Sequence, residues 1–135
     1  MIGKAMNRDI SIREEFDRNE HNNKEIKWHL LKYIDDNLKI YKQKRKLLDF
    51  NDMIKNLINK QNLPKFKVIF IDEAQDLSPL QWQLYDKLKE CADDIYLAGD
   101  DDQAIYAWAG ADVERFIEEP AKEKVLKYSR IRYTY

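Results

Sequence analysis

The hydrophobic period of the chain changes at Pro64, and this change limits the folds that the chain can adopt. Before Pro64, apolar residues recur at steps of three, four and seven, which is the period of an α-helix that packs along one side. After Pro64, short β-branched runs alternate with helical segments, which predicts a parallel sheet with crossover helices. The sequence therefore predicts an α/β fold in which a helical segment precedes a parallel sheet.

The part of the chain before Pro64 is predicted to contain an N-terminal arm and two helices. Residues 1–24 are polar and predict only a weak helix or an ordered arm. The apolar stripe that follows predicts a helix over residues 25–46. Asp49 is placed as the N-cap of a second helix, which is expected to end near Asn62.

The part after Pro64 is predicted to alternate between strands and helices. The run Phe66–Ile71 is short, β-branched and nearly continuous, which suits a strand buried on both faces of a parallel sheet. Ser78 and Pro79 suit the N-cap and first residue of a helix. The remaining expected elements are that helix over residues 78–90, a strand over 95–98, helical segments over 104–108 and 112–117, and a last strand near Val125.

Composition excludes several kinds of protein. The 135 residues include only three glycines, so they contain no phosphate-binding loop of the G-x-x-x-x-G-K-[ST] type. No apolar run approaches the roughly 20 residues that cross a bilayer, and the first residues lack the pattern of a signal peptide. Cys91 is the single cysteine, which excludes an intrachain disulfide and favours the cytoplasm.

Charge is distributed unevenly along the chain. Residues 1–67 carry 16 Lys and Arg against 10 Asp and Glu, whereas residues 68–135 carry 8 against 15. This division fits either ordinary solvated faces or a basic half that meets a polyanion and an acidic half that holds a metal. The basic run at residues 39–46 likewise fits a solvated helix end or a contact with DNA phosphates. His21 and His29 lack neighbouring ligands and predict no metal site.

Acidic residues follow both predicted strands. Asp72 and Glu73 come directly after the first strand, and Asp100 follows the second. Ligands of a parallel α/β sheet bind beyond the carboxyl ends of its strands. P-loop NTPases hold Mg²⁺ with an Asp delivered in this way, and a neighbouring carboxylate can activate water. Acids after strands also occur simply as turn formers and helix starts.

Two of these segments resemble motifs of a known family. Residues 72–76, Asp-Glu-Ala-Gln-Asp, resemble motif II, and residues 99–106 resemble motif III, of the UvrD/Rep-type superfamily 1 DNA helicases. Residues 48–54 are similar to the family's D-F-x-D-[LM]-[LI] segment, and residues 125–131 resemble a damaged motif IV. The resemblance extends over residues 27–131 and implies a partial RecA-like sheet of the P-loop NTPase type.

The resemblance assigns roles in ATP hydrolysis. It implies that Asp72 holds Mg²⁺, that Glu73 is the general base toward the hydrolytic water, and that Gln75 and Asp76 couple the nucleotide state to neighbouring motifs. It also implies that Gln103 senses the γ-phosphate of ATP. The cofactors implied are therefore ATP and Mg²⁺.

The resemblance also assigns a DNA contact and a further phosphate contact. Trp108 takes the place of an aromatic residue that stacks on a base of single-stranded DNA. Tyr106 is a second DNA-binding candidate, although a position in the core suits it better. Arg130 takes the place of the motif IV arginine that stabilises charge on the transferred phosphate. Ala109 and Ser129 depart from the family pattern, which has Arg and Tyr at these positions in many members.

The same resemblance implies a domain division and an incomplete motor. Residues 1–48 are expected to belong to an inserted helical subdomain, and residues 49–135 to a partial RecA-like ATPase domain. The Walker A loop and the second RecA-like domain are expected to lie outside the chain. The chain is thus expected to be a helicase fragment that is inactive alone, with self-association through an exposed sheet edge.

Two other functions fit the residues. One is a stand-alone module, derived from a helicase, that binds DNA or another partner without turnover. The other is a metal-dependent nuclease that uses Asp72, Glu73 and Asp100.

Overall fold

The computed structural model describes residues 1–19 and 26–119 as a mixed α/β structure. Its helices and strands occur in the order helix, helix, helix, helix, strand, helix, strand, helix. They are α1 (Ile2–Asn7), α2 (Ile12–Arg18), α3 (Trp28–Arg45), α4 (Phe50–Ile58), β1 (Phe66–Ile71), α5 (Pro79–Lys89), β2 (Ala92–Leu97) and α6 (Val113–Glu118).

Side-chain caps fix the starts of α4 and α5 where the sequence predicts them. Asp49 accepts a hydrogen bond from the backbone N–H of Asp52, whose carboxylate accepts one from the N–H of Asp49 in return. Ser78 and Gln81 form the corresponding capping box of α5. Each cap satisfies backbone N–H groups that the first turn of a helix leaves unpaired.

The N-terminal residues form two helices, whereas the sequence predicts a weak helix or an arm. Ser11 caps α2 by accepting a hydrogen bond from the N–H of Glu14. Glu15 of α2 is fully buried and pairs with Arg8 across a distance of 2.7 Å. A buried carboxylate needs such a partner, so this ion pair ties α2 to the end of α1.

The described residues contain a sheet of two parallel strands, in which Phe66 faces Ala92 and Ile71 faces Leu97. The prediction that β1 is buried on both faces is wrong, because one face is exposed and the other is only partly buried, at Ile69 and Ile71. Phe70 is 77% exposed, and its ring stacks on that of Tyr96 with 5.2 Å between centroids. The other apolar residues on this face of β1 are also exposed, with Phe66 at 39% and Val68 at 43%.

The core is concentrated at α5. Leu80, Trp82 and Tyr85 of α5 are buried, and the rings of Trp82 and Tyr85 meet edge to face with 5.2 Å between centroids. The stripe of α3 lies differently, since Tyr33 is 65% exposed and Leu30 50% exposed. The apolar period of α3 correctly predicts a helix, yet its stripe is largely uncovered.

Three further predictions have separate outcomes. The segment predicted as a helix over residues 104–108 contains a short 3₁₀ turn at Ala107–Ala109, preceded by another at Asp101–Gln103. The strand predicted near Val125 lies outside the described residues. No helix within residues 1–19 and 26–119 is long and apolar enough to span a membrane.

Candidate functional site

The carboxyl ends of the two strands lie side by side, as the sequence predicts. The N–H of Ala98 donates to the carbonyl of Ile71 across 2.8 Å, and the N–H of Ala74 donates to the carbonyl of Ala98 across 2.9 Å. These bonds extend the parallel pairing beyond the strands themselves. They place the segment that begins at Asp72 next to the segment that begins at Gly99.

Gln75 joins the two segments through its side chain. Its Oε1 accepts a hydrogen bond from the backbone N–H of Asp100 across 3.1 Å, and its Nε2 donates to Oε2 of Glu73 across 2.7 Å. Because an N–H can only donate, the Asp100 contact fixes which end of the amide carries oxygen. Gln75 is 1% exposed, whereas Glu73 and Asp100 are exposed, so both bonds are partly buried.

Gly99 is required at this junction by close packing. A Cβ at Gly99 would lie 2.6 Å from Oε1 of Gln75 and 2.8 Å from Cζ of Phe116. Both distances are too short for non-bonded contact, so any larger residue at position 99 would displace both neighbours. The role of this glycine is therefore to let the second strand approach Gln75.

Glu73 and Asp72 are exposed at the edge of the sheet. Glu73 has φ of 54°, in the left-handed region that non-glycine residues seldom occupy. Oδ1 of Asp72 accepts the N–H of Glu73 across 2.9 Å, which helps to hold this conformation. Strain of this kind often occurs where a side chain must be presented to a ligand.

The carboxylates at the strand ends have the chemistry of a magnesium site whose other ligands are phosphate oxygens and water. Carboxylate oxygens are the ligands that Mg²⁺ takes from proteins, and nucleotide phosphates and water commonly supply the remainder. The described residues hold no group of three acidic, histidine or cysteine side chains arranged around a metal. A carboxylate such as that of Asp72 has the chemistry to hold magnesium together with phosphates and water.

Asp76 is the third acidic residue of this segment. Its Oδ1 is buried and has no hydrogen-bond partner among the described residues. An unpartnered buried carboxylate oxygen is unfavourable, because it has lost water without gaining a donor. This atom can therefore accept a hydrogen bond from a group outside the described residues.

Gln103 lies after the second strand and is directed back toward it. Its Nε2 donates to Oδ2 of Asp100, while Oδ1 of Asp100 accepts the N–H of Asp102 across 3.1 Å. Asp100 thus acts as the N-cap of the Asp101–Gln103 turn. The exposed amide of Gln103 lies in the segment that Gln75 joins to Glu73.

Trp108 and Tyr106 lie together on the loop that follows. Trp108 is 72% exposed and Tyr106 is 46% exposed, with 6.4 Å between their ring centroids. The prediction that Tyr106 belongs to the core is wrong, because nearly half of its surface is exposed. Arg130, the remaining predicted site residue, lies outside the described residues.

The basic run at the end of α3 contains both an ion-paired lysine and exposed lysines. Lys42 forms ion pairs with Asp49 and Asp52 at the start of α4. Burial lowers the pKa of Lys42, but its hydrogen bonds to these two carboxylates outweigh burial and raise it above its ordinary value. Lys44 and Lys46, at the end of the same helix, are exposed.

One cluster that contacts this loop could not be predicted from the sequence. Asn7, Arg8 and Asp9, which we call the N-terminal hub, end α1 and contact α2, α4, α5 and the Trp108 loop. The only local signal nearby is the Ser11 cap of α2. Contacts between residues so far apart in the chain leave no periodic pattern.

A family comparison matches most of the chain. The model of the UvrD/REP helicase N-terminal domain matches residues 1–124. The chain is 34% identical over 113 residues to the RecBCD enzyme subunit RecB of Buchnera aphidicola subsp. Schizaphis graminum, which covers 76% of this chain and 9% of that protein.

Two further relatives are named as ATP-dependent DNA helicases. The chain is 33% identical over 85 residues to Rep of Buchnera aphidicola subsp. Baizongia pistaciae, which covers 56% of this chain and 13% of that protein. It is 35% identical over 79 residues to PcrA of Staphylococcus aureus strain Mu50, which covers 52% of this chain and 11% of that protein. The chain spans only a small part of the length of these relatives.

Proposed function

Because the chain belongs to the UvrD/REP helicase family, we propose that it supplies part of the motor of an ATP-driven helicase that translocates on single-stranded DNA and unwinds duplexes. The observation that carries the proposal is the bridge made by Gln75 between Glu73 and Asp100. It joins a candidate water-activating carboxylate to the segment that leads to an exposed tryptophan. A motor needs such a connection between hydrolysis and its grip on DNA.

Asp72 is the proposed ligand for magnesium. Its carboxylate stands at the tip of β1, and the ion that it shares with ATP would neutralise charge on the β- and γ-phosphates. The left-handed backbone at Glu73 turns the chain immediately after Asp72. The carboxylates of Asp72 and Glu73 can therefore act on different atoms.

Glu73 is the proposed general base. Its Oε2 accepts a hydrogen bond from Gln75, which leaves the exposed carboxylate able to take a proton from water at its other oxygen. Gln75 is held by the backbone of Asp100, so a shift of that segment would reorient Glu73. Asp76, with its unpartnered buried oxygen, is a proposed second connection to neighbouring motifs.

Gln103 and Arg130 are proposed contacts to the γ-phosphate. Gln103 is exposed and tied to Asp100, and rotation about its side chain would exchange that carboxylate for a phosphate oxygen. Arg130 is proposed only from the family motif, since it lies outside the described residues. Both groups would stabilise the charge on the transferred phosphate.

Trp108 is the proposed platform for a base of single-stranded DNA, with Tyr106 beside it. An aromatic ring that is 72% exposed gains by stacking on a base, and such a contact contributes about 1 to 3 kcal/mol. The exposed Lys44 and Lys46 would add salt-dependent attraction to phosphates. Neither contribution depends on ATP.

This independence supports a second candidate function. The 135 residues contain no Walker A sequence, so no backbone N–H groups of that loop cradle the phosphates of ATP. The chain by itself would then bind single-stranded DNA without turnover. We propose this as the behaviour of the 135-residue polypeptide when it is studied alone.

A fluorescence titration with an oligonucleotide tests the DNA proposal. The expected dissociation constant is about micromolar or weaker, because one stacking contact and a few phosphate contacts give modest affinity. Trp108→Ala should weaken binding by at least about fivefold and abolish the quench, whereas Trp28→Phe should keep the affinity. If Trp108→Ala retains both the quench and the affinity, the proposed stacking role is wrong.

Two further measurements separate the remaining proposals. A Lys44→Glu, Lys46→Glu double variant should weaken binding and reduce its dependence on salt while the Trp108 quench at saturation persists. The 135-residue chain should not hydrolyse ATP, with or without DNA. Hydrolysis that disappears in Glu73→Gln would contradict the expected inactivity while supporting Glu73 as the base.

A further inference from the structure

The loop that carries Trp108 has few anchors of its own. The N–H groups of Ala109 and Ala111 both donate to the carbonyl of Tyr106, across 2.9 Å and 3.3 Å, and these bonds lie within the loop itself. The next firm attachment is at Asp112, whose N–H donates to the carbonyl of Leu77 across 2.8 Å. Because Trp108 is 72% exposed, burial of its own ring does not fix the turn.

Asn7 supplies the missing anchor from the other end of the chain. Its Nδ2 donates to the carbonyl oxygen of Ala109 across 3.2 Å, over a separation of 102 residues. Its Oδ1 accepts a hydrogen bond from Nδ2 of Asn51 on α4 across 3.1 Å. The amide of Asn7 therefore uses one end toward the loop and the other toward α4.

The other two residues of the N-terminal hub, Arg8 and Asp9, are bound to other elements and so fix the position of Asn7. Arg8 forms its 2.7 Å ion pair with the fully buried Glu15. Asp9 binds Lys55 of α4 through Oδ1 across 2.7 Å and Gln83 of α5 through Oδ2 across 2.9 Å. With both neighbours fixed to other elements, Asn7 has a defined position from which to bind the loop.

Gly110 gives the loop a backbone conformation that favours glycine, and it lies next to the N-terminal hub. Its φ of 104° is accessible to glycine at little cost, and a Cβ there would lie 3.4 Å from Cγ of Arg8 and 3.7 Å from Cβ of Asn7. The loop is therefore shaped to lie against α1. This contact places the N-terminal hub directly behind the turn that carries Trp108.

We propose that Asn7 is a positioning residue for Trp108. By binding the carbonyl of Ala109, it holds the turn in the conformation that presents the indole to single-stranded DNA. The proposal rests on the proposed function only for the DNA contact, since the hydrogen bond itself can be tested in the protein without DNA. It gives the two N-terminal helices a role in the grip on DNA.

The test uses the 135-residue chain labelled with 5-fluorotryptophan and observed by fluorine NMR. Trp28, Trp82 and Trp108 give three signals, and Trp108→Phe assigns the relevant one. Asn7→Asp keeps the shape of the side chain and an acceptor for Asn51 but replaces the donor to Ala109 with a charge. Asn7→Ala removes the donor without adding charge. Asn51→Ala is the matched control, because it removes one hydrogen bond of Asn7 but not the bond to the loop.

The expected result is specific to one signal. In Asn7→Asp and Asn7→Ala, the Trp108 signal should shift and narrow toward that of a freely mobile indole, and affinity for a labelled oligonucleotide should fall about fivefold. Asn51→Ala should leave the Trp108 signal and the affinity for the oligonucleotide unchanged. The Trp82 signal should stay constant in all three variants, which shows that the core is intact.

Three outcomes would overturn the proposal. They are an unchanged Trp108 signal in both Asn7 variants, an equal change in Asn51→Ala, and a changed Trp108 signal with unchanged affinity although Trp108→Ala weakens binding. If Trp108→Ala itself has no effect on affinity, the DNA proposal fails. In that case a Trp108 signal that responds only to the Asn7 variants would still establish the structural anchor.

Discussion

Helices α5 and α3 are both amphipathic, yet the apolar face of α5 is buried and that of α3 is largely exposed. The shorter helix α5 buries Leu80, Trp82 and Tyr85, whereas the longer α3 leaves Tyr33 and Leu30 at least half exposed. Their stripes are equally clear in the sequence. The difference is that α5 lies against β2 and α4, while the buried residues of α3 are Leu31 and Asp35, which lie outside its apolar stripe.

The comparison teaches that a hydrophobic stripe predicts a helix but not what covers it. Local capping and periodicity determine that α3 forms, because they act within a few residues. Burial needs a second surface, and the described residues offer one to α5 but hardly any to α3. Predictions based on the stripe of α3 therefore need an independent test of exposure.

The largest expected effect on stability comes from a substitution in the core at α5. Trp82→Ala should lower the free energy of unfolding by about 3 to 5 kcal/mol, because Trp82 is 2% exposed and the truncation leaves a cavity. Tyr33→Ala on α3 should change it by no more than about 0.5 kcal/mol. Urea unfolding followed by circular dichroism measures both. A comparable loss in Tyr33→Ala would mean that α3 is covered in solution.

A second pair of substitutions compares a crowded glycine with an open one. Gly99→Ala should cost about 1 to 3 kcal/mol, because its Cβ would displace Gln75 and Phe116. Gly3→Ala lies in α1 with no atom within 4 Å of the new Cβ, and should stabilise the chain by about 0.5 to 1 kcal/mol. Thermal melts of the two variants check the opposite signs. Equal melting temperatures would contradict the packing at Gly99.

The third prediction concerns the uncovered surfaces. An open sheet edge and an exposed apolar face promote association, so the 135-residue chain is expected to form oligomers at higher concentration. Phe70→Lys should weaken this association by about tenfold or more, since Phe70 is 77% exposed on the sheet. Sedimentation equilibrium measures the change. A larger effect of Tyr33→Lys would mean that the contact between copies lies on α3. A monomer at all concentrations would refute association.

The smallest expected effect compares an ion pair at the N-terminal hub with one on α3. Hydrogen bonds from Lys55 and then Gln83 hold the pKa of Asp9 below its ordinary value of 3.8. The stabilisation is therefore present above that pH and is lost as pH falls through the lower pKa of the folded chain. After solvent screening it amounts to no more than about 1 kcal/mol.

Unfolding free energies measured from about pH 2 to pH 6 test this effect. Asp9→Asn should be less stable than the original chain at the upper end and converge with it at the lower end. Asp36→Asn removes the exposed pair with Lys32 on α3 and should change the curve less, because that pair is more solvated. A difference for Asp9→Asn that persists unchanged to the lowest pH would contradict the assignment.

Much of the candidate site could be predicted from the sequence. The two acidic strand ends lie at the same edge because parallel strands end together, and the family motifs named Asp72, Glu73 and Gln103 in advance. The sequence did not predict that the amide of Gln75 would join Glu73 to Asp100, nor that Gly99 was needed to admit it. Those contacts depend on the separation of two segments, which no spacing in either segment encodes.

The sequence by itself determined the local structure of this protein. Asp49 and Ser78 start their helices, and Phe66–Ile71 forms a strand, because capping and side-chain period operate between near neighbours. Only the tertiary structure decided that Trp82 would be buried and Tyr33 exposed, and that Asn7 would bind Ala109. Such outcomes depend on which surfaces meet, and a separation of 102 residues leaves no local pattern to predict them.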